Sequence, residues 1–495
     1  MIRAICSIEN SLVGSSHKGG LGCLTRDLFL ELKESNDEKK IFLSPLYSQI
    51  EKQKYEDGEI VTKVEEFKIE ENLKLIYEFK IQIKDEQINV KVYEHALSTE
   101  STKAYFLYSE CFNHPVYGEG NAKKEIKTRY CFALATKEFL TRHNSTPDIL
   151  HLNESDTAFL ALFFPFSTIY FHSHTPEPWG HKSYSINDLR DILNEDEMKK
   201  LEIARVGDKI NLGKYLAEIS KRIICVSKQH FEIVREKIYP EFGPKTIYVT
   251  NGISRDWIGE EWKRLFDEEI PGWRNDVRRL EKIKEASDEK MVKTKEKQIE
   301  VFREYIEDKI ERKEALGNFD PKKPSYTYAK RLTEYKRPEY TLSLLDLGIN
   351  LVISGFPVDE AGRRMIEEIK KLSKTGYLIV YVLNYNPESA KNLLKGHGWL
   401  NIPYPKREAS GTSFMKSLMN GTMLITTLAG SVPEFVKDGY NGFIVSDELS
   451  NLKEKVRASL EIYNDKSKWA QIIKNSLSTY SVLMQRVVEE MKKLK

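Results

Sequence analysis

A chain of 495 residues, 40% hydrophobic and 31% charged, is too apolar to be disordered and too long for one ordinary core; about two to four domains are expected. A net charge of +2 argues against a polyanion such as nucleic acid as the main partner, while leaving room for a local basic pocket. Five scattered cysteines (Cys6, Cys23, Cys111, Cys131, Cys225) read as reduced thiols rather than a disulfide frame or a zinc site.

The first residues turn polar too soon for a signal peptide, and no apolar run approaches the roughly 20 residues that cross a bilayer. The expectation is a cytoplasmic enzyme with no membrane partner. Along the chain, short apolar runs at residues 2–7, 40–43, 148–152, 168–172, 222–226 and 246–250 predict strands, with a helix over 124–143. Residues 55–90, charged with alternating apolar positions, predict antiparallel strands. A Lys/Glu-rich helical stretch over 257–317 divides the chain, and its charge reads as a solvated face. Strands at 325–329, 350–354, 377–383, 422–426 and 442–445 follow, with helices at 358–374 and 387–394 and irregular chain over 396–406. A helix closes the sequence at 480–495. Strand–helix alternation of this kind predicts an α/β protein with parallel sheets, whose ligands sit at the carboxyl ends of strands at a topological switch point. The predicted domains are 1–256, a helical connection over 257–320, a second domain over 321–478, and the helix 479–495.

Three segments could handle phosphate. Lys18-Gly19-Gly20-Leu21-Gly22 precedes a helical run at 24–33; glycines at a helix start leave backbone N–H groups open to an anion. It is not a P-loop, because no Gly-Lys-Ser/Thr follows. The second segment, Lys330-Arg331-Leu332-Thr333-Glu334-Tyr335-Lys336-Arg337, places four cations in eight residues at a strand's carboxyl end. Arginine grips phosphate with a planar fork, and lysine supplies a mobile point charge. The third, Glu408-Ala409-Ser410-Gly411-Thr412-Ser413-Phe414-Met415-Lys416, opens a helix running to about Gly421. Lys416 stands there among Phe414, Met415, Leu418 and Met419, where a lysine either snorkels to the surface or is desolvated and able to form a Schiff base. His172, His174 and His181 lie on an apparent loop without metal-ligand spacing, and no metal is expected.

Taken together these segments resemble the α-glucan phosphorylases, in their short bacterial and archaeal form. Gly19-Gly20-Leu21-Gly22 resembles the family's glycine-rich loop, His151-Leu152-Asn153-Glu154-Ser155 its Asn-Glu turn, and His172-Ser173-His174-Thr175-Pro176 with Gly180-His181 its active-site loop. Thr250-Asn251-Gly252-Ile253 with Trp257, the basic run from Lys330 to Arg337, Leu383-Asn384-Tyr385 and Trp399-Leu400-Asn401 continue the likeness. Glu408 to Thr412, Met415-Lys416 and Asn420-Gly421 are the most specific part. The resemblance implies a GT-B architecture, two Rossmann-like domains facing across a cleft, and pyridoxal 5'-phosphate bound through Lys416. It assigns the substrate phosphate to Arg331, Lys336, Gly20 and Leu21. It assigns the cofactor phosphate to Lys330, Thr412 and Ser413, and the glucosyl unit to His174 and Glu408, with Asn153, Ser410 and Gly411 nearby. The implied reaction is reversible, retaining phosphorolysis of an α-glucan or maltodextrin by inorganic phosphate to give glucose 1-phosphate, and a homodimer is the default assembly.

One feature resembles a different group. Leu428-Ala429-Gly430 and the stretch from Ser431 to Gly442 are similar to nucleotide-sugar glycosyltransferases of the same fold, and Lys18 before the glycines is similar to glycogen synthases. The alternative is therefore a retaining glycogen or starch synthase-like enzyme using a nucleotide-diphosphate glucose. Such enzymes commonly carry two acids separated by seven residues, the second holding the donor ribose. Counting from Glu408 lands on Lys416, which cannot accept ribose hydroxyls but can carry an aldehyde cofactor. A non-catalytic relative would be expected to lose Arg331 or Lys416, and both are present.

Overall fold

The computed structural model describes residues 1–35 and 37–494. The chain divides into two compact units, one built from Met1–Glu51, Val64–Thr250 and Glu490–Lys495, the other from Lys52–Lys63 and Asn251–Glu489.

The first unit is organised by a nine-stranded sheet in the order Thr246–Tyr248, Arg222–Cys225, Thr168–Ser173, Ile149–Asn153, Ile2–Cys6, Lys39–Pro45, Thr102–Tyr108, Glu86–His95, Leu73–Ile83. Every neighbour pair up to Thr102–Tyr108 is parallel, and the last two strands form an antiparallel extension. The chain builds outward from Ile2–Cys6, then returns to its other side with Ile149–Asn153. That reversal opens a crevice at the carboxyl ends of these two strands. The expected antiparallel region resolves into the hairpin that extends the sheet and a separate two-stranded ribbon, Gln49–Glu56 with Glu59–Glu66. Residues 52–63 of the ribbon belong to the second unit. There Gln53 N donates to Asn384 Oδ1 (2.7 Å), Asn384 Nδ2 donates to Gln53 O (2.8 Å), and Gln53 Nε2 donates to the Tyr381 hydroxyl (2.8 Å).

The second unit repeats the design. Its seven-stranded sheet runs Ala315–Gly317, Ile379–Val382, Asn350–Ser354, Ser325–Ala329, Gly398–Asn401, Met423–Thr426, Phe443–Ile444, with only the Ala315–Gly317 edge strand antiparallel. Five of these strands are buried along their whole length, as a sheet covered on both faces requires. The switch point lies between Ser325–Ala329 and Gly398–Asn401. Two of the segments singled out in the sequence, 330–337 and 408–416, follow those strands.

Gly398–Asn401 corrects the reading of 396–406 as irregular. Its glycine is demanded by a partner strand: a Cβ on Gly398 would stand 2.3 Å from the Tyr326 ring. Thr102–Tyr108 was also absent from the expected strands. The helical stretch contains Glu260–Glu269, the 3-10 segment Val277–Glu285 and Asp288–Glu311, the last capped by Ser287. Its charge is not wholly solvated. Lys295 is fully buried and its ammonium donates to Thr422 Oγ1 (2.8 Å) and to the Asn420 carbonyl (3.1 Å). The helix at Lys416 is shorter than expected, Ser413–Leu418, and the last helix spans Met484–Lys492.

Gly355 lets the strand end at 354 press against the basic loop. Its φ is +144°, and a Cβ there would lie 1.8 Å from the Lys330 carbonyl oxygen. Gly439 also has positive φ (+70°), but open space surrounds it. Gly439→Ala should therefore cost about 1 kcal/mol from strain alone. Gly355→Ala should cost several times that, read as the difference in urea midpoints between the two variants; equal losses would refute the close approach.

Candidate active site

In the second unit, the loop after Ser325–Ala329 begins with Lys330, which is buried. Its Nζ donates to Asn401 Oδ1 (2.9 Å), at the end of the adjacent strand, and lies 5.0 Å from the Tyr328 ring centre. Burial, with the nearby positive charge of Lys336, holds the Lys330 amine well below the ordinary lysine range, against a smaller opposite pull from Glu408. Asn401 Oδ1 also accepts from Ser413 Oγ (3.4 Å), while Asn401 Nδ2 donates to Thr426 Oγ1 (2.9 Å). Asn401 thus ties the basic loop to the helix that carries Lys416.

Lys336 donates to Glu408 Oε2 at 2.6 Å, both side chains largely covered. Burial opposes both charges, yet the pair wins: Glu408 raises the Lys336 amine, and Lys336, then Lys330 and Arg331, lower the Glu408 carboxyl. Arg331 is half-buried beside them. Arg337, the fourth cation of the run, is structural. It is buried in a left-handed backbone (φ 57°) and donates to the carbonyls of Ile402 (2.7 Å), Pro403 (2.9 Å) and Asp447, its guanidinium 4.4 Å from the Tyr404 ring centre. With Tyr340, Tyr404 and Lys406 it helps line a separate open pocket of about 510 Å³ that none of the expected site residues lines.

Thr412 stands at the N-cap of Ser413–Leu418, and its side chain makes no capping bond. Ser410 Oγ is engaged with Ser431 Oγ (2.8 Å), and Gly411 is half-buried against the Glu408 carboxylate. Phe414 packs inward against Phe435, ring centres 6.3 Å apart. Lys416 does not snorkel. It is buried, and its Nζ sits 3.3 Å from the centre of the Trp257 ring. Among the described residues neither Lys330 nor Lys416 forms an ion pair. Lys330, tied through Asn401 to the helix that carries Lys416, and Lys416 itself form a set of donors with two hydroxyls and a helix start. A phosphorylated aldehyde fits that chemistry.

In the first unit, parallel register places Arg3 and Ile5, then His151 and Asn153, then Tyr170 and His172, on one face of the sheet. Asn153 Nδ2 donates to the Cys6 carbonyl (3.0 Å), so its Oδ1 is left to accept from His174 Nε2 (2.8 Å). Burial, with His172 and His230 nearby, holds His174 well below the usual histidine range, so the ring is neutral and its Nδ1 is a bare acceptor. Glu154 carries positive φ (62°) at the strand's end. Its Oε1 accepts from His174 N (3.0 Å) and Thr175 Oγ1 (2.7 Å), while Oε2 is buried with no partner. Burial pushes this carboxyl up to about 8.

The glycine-rich loop departs from expectation. Glu9, which gave no signal in the sequence, already accepts from the Lys18 and Gly19 backbone N–H groups (3.0 and 2.7 Å) and from the Tyr117 hydroxyl (2.7 Å). Those two N–H groups are closed to an anion. Gly20 and Leu21 begin the helix Gly20–Leu32, Gly20 exposed and Leu21 half-buried. No cluster of three or more metal-ligating side chains occurs among the described residues, and no helix there is long and apolar enough to cross a membrane.

A starch synthase catalytic domain model matches residues 5–245, and a glycosyl transferases group 1 model matches residues 309–478. With the two doubly wound sheets, these matches define a GT-B glycosyltransferase fold. Within that class the chain is similar to the α-glucan phosphorylases, as its motifs indicate. It is 26% identical to the maltodextrin phosphorylase of Thermococcus litoralis over 72% of this chain and 51% of the relative. It is 26% identical to the glycogen phosphorylase of Aquifex aeolicus over 55% of the chain and 46% of the relative. It is also 26% identical to the glycogen synthase of Chlamydia muridarum, over 36% of the chain and 40% of the relative. The chain spans about half the length of the curated phosphorylases it matches.

Two stability measurements probe the site without substrate. Lys330→Met removes a buried amine that has no acid partner, so it should stabilise the fold at neutral pH by roughly 1–4 kcal/mol; a lower thermal midpoint would show that the amine is held by more than Asn401. Glu154, with its folded pKa raised, binds a proton that the unfolded chain has released between about pH 4.5 and 8. Its contribution to stability is therefore present at low pH and lost as pH rises towards 8. Glu154→Gln should flatten that decline by a few kcal/mol in unfolding titrations.

Proposed function

We propose that the protein is an α-glucan phosphorylase, catalysing reversible, retaining phosphorolysis of a terminal α-1,4-linked glucose to glucose 1-phosphate, with pyridoxal 5'-phosphate held by Lys416. The observation that carries this reading is the pair of buried amines, Lys330 and Lys416, that lack acid partners at the switch point of the second unit. When bound, the cofactor would supply a phosphate that takes part in proton transfer beside the substrate phosphate. Lys330, Thr412 and Ser413 would hold that phosphate. Arg331 and Lys336 would hold the substrate phosphate, Lys336 keeping its charge through Glu408. Gly20 and Leu21 retain their assignment to the same phosphate by resemblance, with Glu9 restricting the N–H groups that can take part.

Glu408 and His174 would bind hydroxyls of the glucosyl unit, His174 through its bare Nδ1. Asn153 acts by fixing that ring, and Ser410 and Gly411 shape the turn beside Glu408. The homologous phosphorylases support this reading, as do the motifs, and the setting it implies is a cytoplasmic homodimeric enzyme acting on maltodextrin or a longer α-glucan.

The second reading, transfer from a nucleotide-diphosphate glucose, is favoured by the starch synthase model over residues 5–245. Against it, the position where a ribose-binding acid belongs is Lys416, turned onto an indole. Borohydride treatment of protein reconstituted with pyridoxal 5'-phosphate should leave the cofactor's mass on the peptide containing Lys416, and Lys416→Ala should carry none. Glucosyl transfer from a nucleotide-diphosphate donor, with none from glucose 1-phosphate, would move the assignment to a synthase. Arg331→Ala should raise the apparent KM for phosphate at least tenfold while changing that for glucan little; equal losses would remove Arg331 from the phosphate site.

A further inference from the structure

A line of hydrogen bonds runs through the core of the first unit and ends on a ring that has no assigned role. Glu38 accepts from Arg3 Nε (2.5 Å) and Nη2 (3.3 Å). Arg3 Nη1 lies 2.7 Å from His151 Nε2, and His151 Nδ1 lies 2.7 Å from His172 Nε2. A guanidinium can only donate. His151 Nε2 must therefore accept, which puts the His151 proton on Nδ1. That proton is donated to His172 Nε2, which puts the His172 proton on Nδ1. The three side chains leave no other consistent arrangement. Burial, with the positive charge of Arg3, keeps both rings neutral. His172 Nδ1 has no hydrogen-bond acceptor among the described residues and is not sealed in the core.

The ring of His172 lies nearly parallel to that of His174, planes 14° apart and centres 6.3 Å apart. The two rings are fixed in opposite senses. His172 has a proton on Nδ1, set from Arg3; His174 has a bare Nδ1, set from the Cys6 carbonyl through Asn153.

We propose that His172 is a ligand-binding residue that donates from Nδ1 to a hydroxyl oxygen of the glucosyl ligand, with Arg3 and His151 as positioning residues that lock it as a donor beside the acceptor His174. A polyhydroxylated ring is the ligand class such a pair recognises, since neighbouring hydroxyls can accept from one ring and donate to the other. The proposal deepens the glucan reading of this site and rests on it for the identity of the ligand.

Long-range proton–nitrogen correlation spectra of the full chain, labelled with 15N at histidine, test it directly. At neutral pH His172 should show a protonated Nδ1 and a bare Nε2, and His174 the reverse. Maltotriose added without phosphate should shift the Nδ1 signals of both rings. Arg3→Met should allow His172 to take the other tautomer and weaken maltotriose binding about tenfold, the loss of one hydrogen bond, while Arg3→Lys, which still donates, should restore both. A protonated Nε2 or an imidazolium at His172 in the native protein overturns the proposal, as does a His172 tautomer indifferent to Arg3→Met. Correct tautomers with no response of His172 to bound maltotriose also overturn it. If maltotriose does not bind at all, the glucan reading itself fails, an outcome visible from the unshifted His174.

Discussion

Removing an ammonium group from water is costly unless something nearby accepts its protons, and this chain meets that cost differently at each covered lysine. Lys40 is paired with Asp37 and Lys474 with Asp288. Lys295, fully buried, has no acid but donates to a hydroxyl and to backbone carbonyls. Lys336 has Glu408. Lys330 has one neutral amide oxygen, and Lys416 has an aromatic face. The least compensated amines are thus the two at the second unit's switch point. A fold seldom keeps such an arrangement for its own stability. Under the proposed function these amines would face phosphate, one instance of stability given up for function.

The first unit offers the opposite chemistry. Its candidate site is built from neutral groups: histidines kept uncharged by burial, an amide oriented by a backbone carbonyl, and a carboxyl, Glu154, that holds its proton up to about pH 8. The positive end of the helix Gly20–Leu32 is already matched by Glu9. Neutral donors and acceptors of fixed sense discriminate among hydroxyls; covered cations discriminate for phosphate. Under the proposed function, the first unit's neutral groups would read hydroxyls and the second unit's covered amines would read phosphate.

The sequence displayed the second unit's site more fully than the first's. Lys330, Arg331, Lys336, Glu408 and Lys416 stand in charged or glycine-softened runs that interrupt apolar strands, and the α/β alternation places those runs at strand ends. Asn401 was named only as part of the family likeness, and its tying role escaped because it is a lone polar residue ending a strand read as irregular chain. The glycine that suggested irregularity, Gly398, is required by the Tyr326 ring on the neighbouring strand, a contact between residues 72 apart in the chain that no local pattern reveals. Arg3 and Glu9 were equally silent, and His151 was seen only as the first residue of a family-like turn. Arg3 and His151 acquire their roles when parallel register brings distant strands together, and Glu9 when the loop at Lys18 and Gly19 folds back onto it. Arg337, a member of the same basic run that was given no site role, spends its donors on carbonyls that tie two loops together.

The likeness to both phosphorylases and synthases follows from where the discriminating chemistry lies. The starch synthase model covers residues 5–245, almost the extent of the first unit's main body. The hydroxyl-reading site proposed there would serve a glucosyl unit whichever leaving group it carried, so similarity in that half cannot separate the two reactions. The separation has to come from the other half, where one reaction needs acceptors for a ribose and the other needs cations for a second phosphate and an amine for an aldehyde. At residue 416 the chain has a lysine, buried and without an acid partner, separated by seven residues from a carboxylate already committed to Lys336. A lysine offers no acceptor for a ribose at that position, and its amine is the group that the proposed cofactor would require.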